Sequence, residues 1–149
     1  MTGVRSGKVV AVSVSARKGE KKTPVPSVTL VEEHGVRNDT HAGPGIRQVS
    51  LLASESIGAM RAKGLSVGPG DFAENITLEG FDLPAVRVGD RIRIGEAVVE
   101  ISQIGKECRD RCAIYFQAGD CVMPREGVFA RVIRGGKVEP GDPVRREKP

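Results

Sequence analysis

The stretch Val86–Ile101, VRVGDRIRIGEAVVEI, decides how the chain is read. An alternating run, Arg91–Ile94, and a run rich in β-branched residues, Ala97–Ile101, flank Gly95-Glu96, and that pattern predicts a hairpin turning at this pair. Working outward, Val9–Val14 and Val28–Glu32 read as strands, Arg47–Leu52 alternates, Phe72–Leu78 is mostly extended, and Val128–Ile133 precedes closing strands through Val138 and Val144. Residues 16–26 read as a loop. Ser54–Lys63 reads as a short helix, with Ser54 as N-cap, Ile57 and Met60 on the inner stripe and Gly64 ending it. Short strands punctuated by Gly-Asp pairs at 70-71, 89-90, 119-120 and 141-142 predict a mainly β fold, a closed or nearly closed β-barrel with a few short helices.

The chain has 149 residues, 39% hydrophobic and 28% charged, enough to bury a core as a single domain over 1–149 without disulfides or a structural metal. Only 3% is aromatic. The net charge of +4 and pI near 9.2 favour anionic partners. Part of that charge lies in Arg145–Pro149, read as a frayed tail, and part in the run Arg17–Lys22, read as a solvated loop. Nucleic-acid binding would want basic residues interleaved with exposed aromatics, and that pattern is missing. No apolar run is long enough for a bilayer and the first residues lack a signal-peptide core, so a cytoplasmic protein without a membrane partner is expected. Oligomeric state is not encoded in any pattern here.

All three cysteines fall in Gly105–Cys121, GKECRDRCAIYFQAGDC. An odd number in a reducing compartment leaves chemistry or burial as the options. If a strand ends near Ile104 and a short helix follows, Cys108 sits at that helix's N-terminus, where free N–H groups and the nearby Lys106, Arg109 and Arg111 favour a thiolate. Such a thiolate can act as a nucleophile or ligate a soft metal. Cys112, at i+4, could be a resolving thiol, a second ligand or packing, and Cys121 reads as packing or support. Structural zinc wants four Cys or His ligands; Cys108-x3-Cys112 permits it, but no second such pair exists, so zinc is disfavoured. Phosphate-binding Gly-rich loops and a serine-hydrolase elbow are absent.

Four stretches in series, GVRNDTHAGPGIRQVSLLASES (35–56), GDFAENITLEGFDL (70–83), VRVGDRIRIGEAVVEISQIGKEC (86–108) and EGVFARVIRGGKVEPGDPV (126–144), resemble the MOSC domain, the family named after the C-terminal domain of molybdenum cofactor sulfurase. The resemblance implies a barrel of the pyruvate-kinase insert type and a cleft for a molybdenum or tungsten pterin cofactor, or for sulfur on its way to a metal centre. It places Cys108 at the family's functional cysteine, as catalytic thiolate and metal ligand, although Glu107 stands where the family commonly has Pro. The family's Asp-x-His-x-Gly loop matches Asp39–Gly43, its Arg-Gln-Val-Ser strand matches Arg47–Ser50, and its Glu-Asn pair matches Glu74-Asn75.

The candidate cofactor-binding residues are therefore Asp39, His41, Arg47, Glu74, Asn75, Lys106, Arg109 and Arg125, with Cys108 and Cys112 as candidate catalytic thiols. His41 could instead be a strut for its loop, Asn75 a bridge between strands and Glu74 structural support. The implied function is sulfur or cofactor transfer, or reduction of N-hydroxylated compounds with electrons from a partner. The other reading is a non-catalytic module docking on a molybdenum cofactor biosynthesis enzyme. The longest family members also carry a pyridoxal phosphate-dependent desulfurase domain, for which this chain has no room.

Overall fold

The computed structural model describes residues 6–17, 21–105 and 127–147. Its strands are β1 (Ser6–Val14), β2 (Thr23–Val25), β3 (Val28–Val31), β4 (Gly35–Val36), β5 (Val49–Ala53), β6 (Ile76–Glu79), β7 (Arg91–Ile94), β8 (Ala97–Ile104), β9 (Val128–Arg134), β10 (Gly136–Val138) and β11 (Pro143–Arg146). Helix α1 covers Ser54–Ala62 and a 3-10 turn covers Leu83–Ala85.

The predicted hairpin forms β7 and β8, with Ile94 opposite Ala97 and only Gly95 and Glu96 between them. Gly95 has φ +56°, and a side chain there would meet the Asp142 carboxylate, so two constraints select glycine. Around this hairpin the strands run β11-β7-β8-β9-β5-β6-β1, and β1 pairs with β11 to close a seven-stranded barrel. β2 adds to β1 outside the ring. β10, β3 and β4 form a small separate sheet. β5 and β6 are parallel, a pairing that needs a crossover, and α1 lies in that connection.

Period-two alternation sorts two cores. Val49, Leu51, Ile76, Leu78, Ile92, Ile94, Val99, Ile101, Ala130 and Val132 fill the barrel. Leu52 and Phe129 point the other way and pack with Ile57, Met60, Val67 and Phe72 beneath α1. Both faces of β5 are thus covered, which is why all five of its residues are buried. Bulges in β1 between Val9 and Ala11 and in β8 between Ile101 and Gln103 shift the register and bend the strands around the ring.

Four local expectations are corrected. Residues 16–26 are not wholly loop, because Thr23–Val25 pairs with Val12–Val14. Arg145 and Arg146 are not frayed: they pair with Arg93 and Ile92, the Arg145 register continues to Ser6, and Arg146 Nη2 lies 2.9 Å from an Asp90 carboxylate oxygen. Long-range pairing, which a charge run conceals, orders this end. Ser54 is the first helical residue rather than the N-cap; Ala53 holds that position without a side-chain bond. Extended structure near 72–78 starts only at Ile76, because Glu74 binds back to the turn before it.

Candidate functional site

At the end of β1 the chain places a cluster that begins with a buried lysine. Lys22 Nζ lies 2.8 Å from Asp39 Oδ1, 3.1 Å from Ser15 Oγ and 2.9 Å from His41 Nδ1. The Lys22 and Asp39 side chains are both 0% exposed, whereas His41 is 31% exposed. Gly70 makes room for the lysine: Lys22 N–H donates to the Gly70 carbonyl, and a Cβ on Gly70, at φ +87°, would stand 2.2 Å from the Lys22 carbonyl oxygen.

Asp39 organises the turn-rich segment 34–45. Its Oδ1 also accepts from Ser15 N–H at 2.9 Å, and its Oδ2 accepts from His41 N–H at 3.1 Å. Thr40 N–H donates to the Ser15 carbonyl, and Gly43 N–H to the His34 carbonyl. The segment is ordered because a buried ion pair and these bonds hold it. Burial pushes the Asp39 carboxyl up, but the Lys22 bond and charge and the two N–H bonds outweigh it, so the group lies below its ordinary value.

Glu74 and Asn75 are buried, and their polar atoms are occupied within the protein. Glu74 accepts from Gly70 N–H, Phe72 N–H and the Thr77 hydroxyl. Its pKa is raised because the cost of burying the charge exceeds what these donors return. Asn75 Oδ1 accepts from Ser50 N–H and Ser50 Oγ, and its Nδ2 donates to the Ser13 carbonyl, so one side chain links β5, β6 and β1.

A second cluster stands on the rim of β8 and β9. Arg47 is exposed, with its guanidinium 5.4 Å from the centroid of Phe129 and its Nε donating to Gln103 Oε1 at 2.9 Å. Gln103 Nε2 in turn donates to the Gly105 carbonyl at 2.8 Å. Gly105 N–H donates to the Gly127 carbonyl at 2.7 Å. This rung fixes both feet of the connection that carries the cysteines. Cys108, Cys112, Cys121, Lys106, Arg109, Arg111 and Arg125 lie outside the described residues. In the ring, β5 and β6 lie between β9, which carries Phe129, and β1, which leads to Ser15.

The structure therefore brings Asp39 and His41 together, holds Arg47 in a separate cluster with Gln103 and Phe129, and buries Glu74-Asn75 in the barrel wall. Sequence reasoning missed Lys22, Ser15, Gln103 and Phe129. Lys22 looked like one more residue of a solvated basic run; its only distinguishing mark was its place just before the strand Thr23–Val25.

The sequence profile of the MOSC domain matches residues 38–145, which includes Asp39, His41, Arg47, Glu74 and Asn75. The chain belongs to the MOSC domain family. Within this MOSC protein the match starts after Lys22 and Ser15, which nevertheless bond into the matched region. An alignment over 75 residues, covering 47% of this chain and about a third, 34%, of the curated relative, is 35% identical to the uncharacterized protein YflK of Bacillus subtilis (strain 168). The fold is similar to the YuaD protein from Bacillus subtilis, with a TM-score of 0.77 at 17% identity over 93% of this chain and 94% of that one. It is also similar to YiiM from Geobacillus stearothermophilus, with a TM-score of 0.70 at 23% identity over 95% and 75% of the two chains. These likenesses support the mainly β, closed-barrel architecture of the family. Among the described residues no helix is long and apolar enough to cross a membrane.

Proposed function

We propose that this MOSC protein binds a molybdenum or tungsten pterin cofactor, or a precursor of it, at the rim where β8 and β9 lead into residues 106–126. The observation that carries the reading is Arg47 on that rim. Gln103 and Phe129 fix its guanidinium, and among the described residues its terminal nitrogens have no partner, so planar donors remain for a phosphate or a pterin carbonyl. Family membership and the basic residues flanking Cys108 in sequence support the same anionic ligand.

On this reading Cys108 is that thiolate ligand, or it carries sulfur. As a carrier its thiolate attacks the outer sulfur of a donor persulfide, the donor leaves as its thiolate, and Cys108 holds the new persulfide for a molybdenum cofactor biosynthesis enzyme or a molybdoenzyme. A bound molybdenum centre would supply two-electron redox chemistry for an N-hydroxylated substrate, while the Arg47 guanidinium neutralises the ligand and His41 donates to it. The protein works in the cytoplasm, where such thiols stay reduced.

The test is elemental analysis and pterin fluorescence of the full chain beside its Cys108→Ser variant. Wild type should carry molybdenum or tungsten, or a persulfide, and the variant should lose it with its fold intact. Unchanged loading in the variant refutes the assignment. One zinc per wild-type chain without pterin fluorescence refutes it too, in favour of a docking module.

A further inference from the structure

The geometry around His41 settles which ring nitrogen carries the proton. Nδ1 lies 2.9 Å from Lys22 Nζ but 3.8 Å from Asp39 Oδ2. Only the first distance is a hydrogen bond. Its direction follows from Asp39, whose carboxyl lies below its ordinary value and is ionised at neutral pH. A carboxylate with a 0% exposed side chain needs a paired cation, since stranding a buried charge costs roughly 3–5 kcal/mol, so Lys22 is an ammonium.

An ammonium has three donors and no lone pair. Nδ1 must therefore accept, and a neutral ring carries its proton on Nε2. The other tautomer would set two N–H groups against each other across 2.9 Å. Asp39 fixes the backbone as well, through His41 N–H to Oδ2. Nδ1 lies against the fully buried Lys22, while the His41 side chain as a whole is 31% exposed.

We infer that Lys22, which lies ahead of the family match, is a positioning residue that locks His41 in the Nε2–H tautomer, making it a fixed donor to an acceptor oxygen of the bound ligand. The class of acceptor, a carbonyl or phosphate oxygen, rests on the cofactor reading above; the tautomer does not. Lys22 acts through His41 and needs no contact with the ligand. The device is a buried ion pair used to set the direction of one neutral donor.

The experiment is two-bond 15N–1H correlation of the imidazole rings in the full chain, without cofactor, at about pH 8, where an ordinary imidazole of pKa roughly 6.5 is neutral. The chain has two histidines, and His34→Gln assigns the signals. In wild type the His41 ring should show one tautomer, protonated at Nε2. An Nδ1–H pattern, or one averaged between tautomers, overturns the inference. Lys22→Met alone strands Asp39, so the companion is the double variant Lys22→Met with Asp39→Asn, which removes both charges together. Its His41 ring should lose the single pattern and average; a ring that keeps the wild-type pattern shows that Lys22 is not the lock. Since no cofactor is present, failure to find molybdenum or tungsten leaves this result standing. An averaged ring in a protein that does load metal refutes this inference alone.

Discussion

Replacing Asn75 with alanine tests whether its side chain holds the barrel wall or serves the ligand. The substitution removes the acceptor of Ser50 N–H at 3.0 Å and of Ser50 Oγ at 3.2 Å, and the donor to the Ser13 carbonyl at 3.2 Å. Asn75 is 1% exposed, so water does not replace these partners without entering the wall. At about 1 kcal/mol per bond, with a further 1–3 kcal/mol for a buried backbone group left without a partner, the loss comes to roughly 4–6 kcal/mol. For a domain of this size about 3–4 °C accompanies each kcal/mol, so the thermal midpoint should fall by roughly 12–24 °C. Thermal unfolding followed by circular dichroism measures it, with cofactor content per folded molecule as the second readout. A midpoint within about 3 °C of wild type would refute the wall argument. So would a variant of wild-type stability that fails to load, since Asn75 would then be serving the ligand.

Two further outcomes follow from the same geometry. Burial raises the Glu74 pKa above its ordinary 4.5, so its protonated form favours folding, and that stability is present below 4.5 and lost as pH rises through the folded value. Glu74→Gln lacks this loss, and its deficit in thermal midpoint against wild type should narrow as pH rises above 4.5, whereas a constant deficit would show that Glu74 does not titrate with folding. Asp39 has the opposite sign, with stability lost as pH falls below 3.8, but it is present in both proteins and cancels. Arg47→Ala removes an exposed side chain and one cation–π contact of about 0.5–1 kcal/mol, so its midpoint should move by only a few degrees while retention of molybdenum or tungsten drops; unchanged retention would take Arg47 out of the site.

What could be read from sequence was local periodicity. The hairpin at Gly95-Glu96 and the alternation in β5 and β9 each depend on neighbours within a few residues, and the barrel follows from repeating that pattern. Where a residue's role depends on a distant partner, the pattern is mute or misleading. Lys22 bonds Asp39 seventeen positions away, and in sequence it is the end of a basic run. Arg145 and Arg146 likewise belong to a strand only because β7 and β1 lie beside them. Glu74-Asn75 was legible as a pair, yet its burial follows from three strands meeting there. Asp39, His41 and Arg47 were found through resemblance; that one lysine orients the first two depends on distances no sequence shows.

The bond from Gly105 to Gly127 carries a consequence for how such a domain can diversify. With both ends of the intervening stretch pinned by adjacent strands, that stretch is an exchangeable cartridge on a constant chassis. Doubling the length of a connection costs only about 0.6 kcal/mol in closure entropy, far less than disturbing the barrel would. Descendants of this chain could therefore swap the thiol-bearing cartridge while Lys22, Asp39 and Asn75 stay as they are.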